Sequence, residues 1–287
     1  MNTPGTLYVV ATPIGHLDDF SPRALHTLQS VALIAVEDKR QTAKLLQRFG
    51  ITTKMFALHE HNERASAEKL FARLHHGEDI ALVSDAGTPL ISDPGYHLVA
   101  LARAHQIQVL AIPGPCAAIA ALSIAGFPTD RFVFEGFLPA KSGAKATRLN
   151  ELTKEQRTLI FYEAPHRIVS TISAMQEIFG AEREVFVARE LTKLYESHYC
   201  LTLAALAQQL TWDKSLVRGE LVLIVRGAEA EEVNVKAYDT TDILHTLLSE
   251  LTPKIAAKLT SRITGESKNT LYQQALAWQK SCVDPME

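Results

Sequence analysis

The sequence is poor in cysteine, with Cys116, Cys200 and Cys282 the only three in 287 residues and no C-x-x-C spacing among them. That excludes a disulfide framework and the common zinc patterns. Cys116, set between Pro115 and Ala117, reads as a small apolar filler rather than a nucleophile. Long apolar runs are also missing: 31–36 and 221–225 have strand length, far short of a bilayer. The opening MNTPGTLYVV carries no positive region ahead of an apolar stretch, so no secretion signal is expected. These absences predict a soluble, cytoplasmic protein with no membrane partner. An excess of basic charge is lacking too. Twenty-nine Lys and Arg against 32 Asp and Glu leave a net charge of −3, so any nucleic-acid site must be a local patch. No G-x-G-x-x-G follows the first apolar run and no G-x-x-x-x-G-K-[ST] occurs. Both a dinucleotide-binding Rossmann enzyme and a P-loop NTPase are thereby disfavoured.

What is present is a globular composition, 47% hydrophobic and 21% charged, long enough for one large or two modest domains. Short apolar runs at 7–11, 33–36, 54–58, 80–83 and 108–112 alternate with amphipathic stretches at 22–29, 42–49, 66–75 and 96–105. Strands alternating with helices predict a parallel sheet built through right-handed crossovers. A further helix at 116–125 ends at Gly126, closing a first α/β domain over 1–126. A second set of strands, at 132–135, 158–162, 184–188, 197–201 and 221–225, has helices at 167–179 and 203–209. Some of these strands are joined by loops alone, which predicts a mixed sheet in a second α/β domain over 127–228. The small, basic run PAKSGAKAT at 139–147 reads as a mobile loop. Residues 229–287 read as an acidic linker, EAEEVNV, followed by a helical tail with two short helices around Gly265 and Glu266, resembling a helix–turn–helix.

In an open parallel sheet ligands bind at the carboxyl ends of the strands. Here those ends carry TPIG at 12–15, SDAGTPLISDPG at 84–95 and PGP at 113–115. Glycine lets backbone approach a ligand, and proline stiffens the loop while removing an N–H. Any one such loop reads first as ordinary turn punctuation. Three on one sheet edge predict a stiff ligand pocket offering mainly backbone groups.

The ordered motifs VATPIGHLDDFSPRAL, AVEDKRQTAKLL, LHEHNE, VSDAGTPLISDPG, IPGPCAA, EGFLPAK, FYEAPHR and ARELTK resemble the ribosomal RNA small subunit methyltransferase I family, within the tetrapyrrole methylase superfamily. The resemblance runs from about residue 6 to 227 and continues more weakly into the tail. It departs from the family pattern at His16, where Asn is expected, at Lys39 for Thr and at Ala164 for Ser; Tyr195 stands where an aromatic or His occurs. The resemblance implies a homodimer that binds S-adenosylmethionine between two lobes. It further implies 2′-O-methylation of a cytidine ribose in the decoding region of the small-subunit (16S) RNA, with the 30S subunit as partner and no metal. Carried over loop by loop, it implies cofactor contacts from Pro13, Asp85, Gly87, Thr88, Leu90 and Ile91. Pro113, Gly114 and Ala117 complete the first-domain set. Phe161, Tyr162, Glu190, Leu191, Glu220 and Leu221 are implied from the second.

A sulfonium methyl is already activated, so the protein must align the attacking oxygen and help remove its proton. Candidate groups are Asp19, Glu37, Asp38 and Glu163, with Asp18, Glu60, His61 and His166 behind them. Each has a plainer reading as a helix cap or a solvated side chain. Phosphate contacts require cations, and Lys39, Arg40, Lys141, Lys145, Arg148 and Arg167 are the candidates, with a solvated surface as the alternative. Two further readings stay open: a small-molecule methylase of the same superfamily, against which the basic 141–148 segment and the tail stand, and a non-catalytic ribosome-binding factor, which would not need stiff cofactor loops.

Overall fold

The computed structural model describes residues 3–229 and 239–283, with backbone alone for 60, 214, 215 and 280–283. The chain forms two compact units, 1–229 and 230–287. The first contains both sheets. Strands β1 (Leu7–Val10), β2 (Leu33–Val36), β3 (Met55–Ala57), β4 (Ile80–Val83) and β5 (Val109–Ile112) pair in the order β3-β2-β4-β1-β5, all parallel. Helices α1 (Pro22–Ser30), α2 (Lys39–Arg48), α3 (Glu63–His75) and α4 (Tyr96–Ala104) connect them. Every residue of the inner strands β2 and β4 is buried, as a sheet covered on both faces demands. Local signals set the helix starts: Ser21 accepts from the Ala24 N–H with Pro22 in the first turn, and Asp38 accepts from the Arg40 N–H.

The second sheet is mixed. Strands β6 (Phe132–Phe137), β7 (Thr158–Glu163), β8 (Glu184–Arg189), β9 (Ser197–Thr202) and β10 (Leu221–Val225) pair in the order β6-β7-β10-β8-β9. Only β6 and β7 run parallel; β10 is antiparallel to both β7 and β8. All five residues of β10 are buried, which suits its central place. Helix α5 (Ala117–Ile124) follows the first sheet but buries Ala118, Ala121 and Leu122 against Ile160, Phe186, Val222 and Ile224 of the second. It joins the two sheets through one apolar cluster, and each fully buried Ile there contributes roughly 1.5–3 kcal/mol. On the opposite face α7 (Ile168–Phe179) and α8 (Leu203–Trp212) pack over Phe161, Val187 and Leu223.

One element departs from expectation. Residues 139–147 are not a mobile loop, because Ser142–Glu151 form helix α6. Its buried positions are Lys145 and Leu149, one turn apart. A lysine on the inward face hid the apolar stripe by which a helix is read.

The second unit comprises α9 (Thr240–Leu248), α10 (Pro253–Thr264) and α11 (Lys268–Val283). Leu244, Leu248, Ala256, Ala257, Leu271 and Ala275 form its small core, and His245 stacks on Trp278 with ring centroids 4.5 Å apart. Gly265, left-handed at φ 80°, ends α10, so α10 and α11 form the expected helix pair around a glycine turn.

Candidate active site

The carboxyl ends of β1, β4 and β5 converge. Thr12 N–H donates to Gly87 O at 2.9 Å and Gly87 N–H returns to Thr12 O at 3.1 Å, so the loops after β1 and β4 are locked together. Thr88 Oγ1 donates to Pro115 O at 2.9 Å, tying in the loop after β5. Gly87 sits at φ +83°, where a Cβ would lie 3.3 Å from Ile14 Cγ2. Gly114 is pressed on β1's exit, since a Cβ there would be 2.9 Å from the Cβ of Ala11. Non-glycine residues Leu90 and Ser92 hold φ of 72° and 70°, a costly backbone that the surroundings must enforce. Two anchors do so: Glu63 Oε1 accepts from the Gly95 N–H at 2.9 Å, and Ser92 Oγ abuts Gly136 of β6.

These loops form one wall of a cavity of about 290 Å3. Ile14, Gly87, Thr88, Ile91, Asp93 and Ala117 line it from the first sheet's side. Phe137, Tyr162, Glu163, Pro165, Glu220 and Leu221 face them from the second. The walls are mostly apolar, and the charged side chains on them are carboxylates. Tyr162 O–H accepts from the Ala118 N–H at 3.2 Å, and burial pushes its phenol up. Asp93 is pushed up to about 6, first by burial, which outweighs the lowering influence of the neighbouring Ser84 hydroxyl, and then by the charges of Glu37 and Asp85. Asp85 is raised as well, by burial ahead of the adjacent Asp38 charge, although the Asp38 N–H donates to its Oδ1 at 3.1 Å.

Of the residues expected at a cofactor, Gly87, Thr88, Ile91, Ala117, Tyr162, Glu220 and Leu221 line this cavity. Leu191 faces a small adjoining void with Ile14, Ala117 and Val222. Phe161 does not reach the site: it is fully buried in the opposite-face core, because alternate strand residues point to opposite faces and Tyr162 took the cavity side. Leu90 packs into the first sheet's core and Gly114 against Ala11, while Pro13 is buried and Pro113 exposed, and none of these four lines the cavity. Glu190, left-handed at φ 51°, turns its Oε1 to the Glu220 N–H at 2.8 Å and to Lys193 Nζ at 2.9 Å, supporting the wall from behind.

Among the expected proton acceptors, Asp38 is the cap of α2 and Asp18 and Asp19 lie exposed in a single 3-10 turn, Leu17–Asp19. Glu37 acts on Asp93 through its charge. His61 borders a separate cleft with Arg64 and His97, His166 is exposed, and the Glu60 side chain lies outside the described residues. Glu163 lines the cavity but is engaged: its Oε2 accepts from Thr171 Oγ1 at 2.5 Å and its Oε1 from the Ala164 N–H at 2.8 Å, with Arg167 Nε 3.4 Å away. Asp93, Cys116 and Phe137 are cavity residues that the sequence pattern did not single out. For Asp93 the signal was the second aspartate of the SDAGTPLISDPG loop.

Three expected phosphate contacts are spent internally. Lys145 is buried and donates to Thr171 Oγ1 at 2.8 Å and Ser170 Oγ at 3.2 Å, with burial lowering its ammonium. It is no surface cation. Arg148 grips both oxygens of Glu135, at 2.8 and 2.9 Å, and also Glu151. Arg167 donates to Leu138 O and Pro139 O. Lys39, Arg40 and Lys141 are exposed at the starts of α2 and α6.

Comparison with known proteins agrees with this architecture. The family Tetrapyrrole (Corrin/Porphyrin) Methylases matches residues 6–207, and the RsmI C-terminal HTH domain matches 236–279. A ribosomal RNA small subunit methyltransferase I from Pseudomonas aeruginosa is 53% identical over 96% of this chain and 98% of its own. One from Escherichia coli O157:H7 is 50% identical over 97% of each. The solved uroporphyrin-III C-methyltransferase from Thermus thermophilus, complexed with S-adenyl homocysteine, superposes with TM-score 0.54 at 15% identity, over 77% of this chain and 97% of that one. With half of its residues shared over nearly its whole length, the chain belongs to the ribosomal RNA small subunit methyltransferase I family of tetrapyrrole methylases.

Proposed function

We propose that the chain transfers a methyl group from S-adenosylmethionine to the ribose 2′-hydroxyl of a cytidine in the decoding region of small-subunit ribosomal RNA. The observation that carries the reading is the cavity at the strand ends, in a chain whose relatives are named as small-subunit RNA methyltransferases. Its residues fit the methyl donor. The cavity joins an apolar, aromatic wall suited to an adenosine with acidic groups suited to a sulfonium cation, and Gly87 keeps backbone open where a Cβ would crowd Ile14. When bound, the sulfonium supplies an electrophilic methyl that needs no metal. Thr88, Ala117 and Leu221 would hold the donor by shape and backbone groups, and Ile91, Phe137 and Pro165 would exclude water around the transfer. Exposed Lys39, Arg40 and Lys141, at the starts of α2 and α6, would grip phosphates.

We further read residues 1–126 and 127–228 as the two lobes of a cytoplasmic enzyme that works as a homodimer. No described helix is long and apolar enough to cross a membrane. The decisive experiment is tritiated methyl transfer from S-adenosylmethionine to isolated 30S subunits, beside a tetrapyrrole precursor, followed by mapping of the modified nucleotide. Label confined to the tetrapyrrole, or label on a base, overturns the reading. Light scattering at micromolar concentration tests the dimer, and a fully active monomer excludes it.

A further inference from the structure

We propose that Asp93 is the catalytic base of this methyl transfer, its carboxylate taking the proton from the attacking hydroxyl. The proposal rests on the reaction read above.

Glu37, which follows β2, acts on Asp93 by charge but does not line the cavity; four other carboxylates stand at or beside it, and their surroundings separate them. Glu163 has its oxygens taken by Thr171, the Ala164 N–H and Arg167. Glu220 is 77% exposed and pairs with Lys193 Nζ at 3.0 Å. Asp85 is exposed, accepts from the Asp38 N–H at 3.1 Å and does not line the cavity. Asp93 alone of the four combines a place on the cavity wall with partial burial and no ion-pair partner among the described residues.

The backbone around Asp93 is held at a cost. Ser92, just before it, is left-handed at φ 70°, and Gly95, two residues after it, stands at φ 129°. Glu63 clamps the far end through the Gly95 and His97 N–H groups at 2.9 and 3.0 Å. On the near side Ser92 Oγ would lie 3.0 Å from any Cβ on Gly136, so β6 backs the loop. Strain of this kind persists only where neighbours over-determine it, and here it aims one side chain into the cavity.

Chemistry fits the placement. The titratable groups around Asp93 are Asp85 from the same loop, Glu37 from the end of β2, Cys116 at the start of α5, Tyr162 and Glu163 from β7, and Glu220 beside β10. With no cation acting on it among the described residues, the carboxylate is pushed up to about 6. It is thus ionised at neutral pH yet more basic than a free aspartate, as a general base should be. In the step, the hydroxyl oxygen forms its bond to the methyl carbon as the C–S bond breaks. That bond's electron pair stays on sulfur, which becomes a neutral thioether. The hydroxyl proton passes to Asp93, and water then removes it.

The test compares wild type, Asp93→Asn and Asp93→Glu on 30S subunits in single turnover across pH 5–9, with S-adenosylmethionine affinity by calorimetry and Asp93 titration by 13C NMR in the free protein. The expected result is a loss of about 100-fold or more for Asp93→Asn, within the usual range for a general base, with partial rescue by Asp93→Glu. The wild-type rate should rise to a plateau with an inflection near 6, matched by the NMR titration, and Asp93→Asn should lack it while binding the donor normally. Asp93→Asn transferring within about fivefold of wild type, with the inflection intact, overturns the assignment. So does loss of donor binding that accounts for the rate. A wild type that labels no 30S RNA overturns the parent reading and the base with it, whereas a labelling wild type beside an unaffected Asp93→Asn overturns the base alone.

Discussion

The Lys145 ammonium donates to Thr171 Oγ1 at 2.8 Å, and the Thr171 hydroxyl donates in turn to Glu163 Oε2 at 2.5 Å. A buried cation and a buried carboxylate are thus linked through one hydroxyl, beneath the cavity wall. Lys145→Ala removes the cation and leaves Thr171 and Ser170 without their donor. An expected loss of about 2–4 kcal/mol follows from a broken buried polar network. Urea denaturation measures it, and an unchanged midpoint would show the lysine to be dispensable.

Gly87 to Val tests the loop junction. The φ of +83° is unfavourable for a residue with a Cβ by roughly 1–2 kcal/mol, and Ile14 would have to give way at 3.3 Å. Both the strain and the displaced Ile14 fall at the cavity. Calorimetry should find S-adenosylmethionine binding abolished while circular dichroism shows the fold retained. Unchanged affinity would remove this loop from the donor site.

How much of this was legible depended on whether the signal was local. The alternation of runs such as LIAV and IALV with amphipathic stretches marks the parallel sheet, because each strand and its crossover are contiguous in sequence. The three Gly- and Pro-rich loops marked the site for the same reason. Phe161 and Tyr162 are adjacent, and nothing in the pair itself says which faces the cavity; the register of β7 on β10 decides it. Lys145 looked like a surface cation because its partners lie 25 and 26 residues away. Asp93 was missed because its environment comes from Glu37, Ser84, Tyr162 and Gly136, which only the fold assembles.

Asp93 also carries a stability signature. Its folded-state value is raised, so its contribution to stability is present below the unfolded value and is lost as pH rises through about 6. At pH 7.5 the native chain therefore bears an ionised, partly buried carboxylate that it would rather protonate. Asp93→Asn removes that cost. Discounted for the solvent that reaches the group, the gain is on the order of 1 kcal/mol, roughly 2–4 °C in Tm. At pH 4 the gain should vanish. Equal effects at both pH values would show that the charge of Asp93 is not what strains the site.

Substrate grip should be separable from donor binding. Lys39, Arg40 and Lys141 are exposed at the helix starts that follow β2 and β6, and no ion pair engages them among the described residues. Lys145, Arg148 and Arg167 are held by Thr171, Glu135 and Leu138 O, so their removal would disturb the fold before it disturbed RNA binding. The informative variant is therefore Lys39→Ala, Arg40→Ala and Lys141→Ala together. Each phosphate contact releases condensed counterions, and each one lost should flatten the slope of log affinity against log salt by about 0.7–0.9. The triple change is expected to weaken 30S binding at low salt, reduce the slope by about two units and leave calorimetric S-adenosylmethionine affinity unchanged. If instead the three cations are merely solvated, both the slope and the methylation rate stay at wild-type values. That outcome would move the RNA contact off these helix starts and make the C-terminal helices, with Lys254, Lys258, Arg262 and Lys268, the next surface to test.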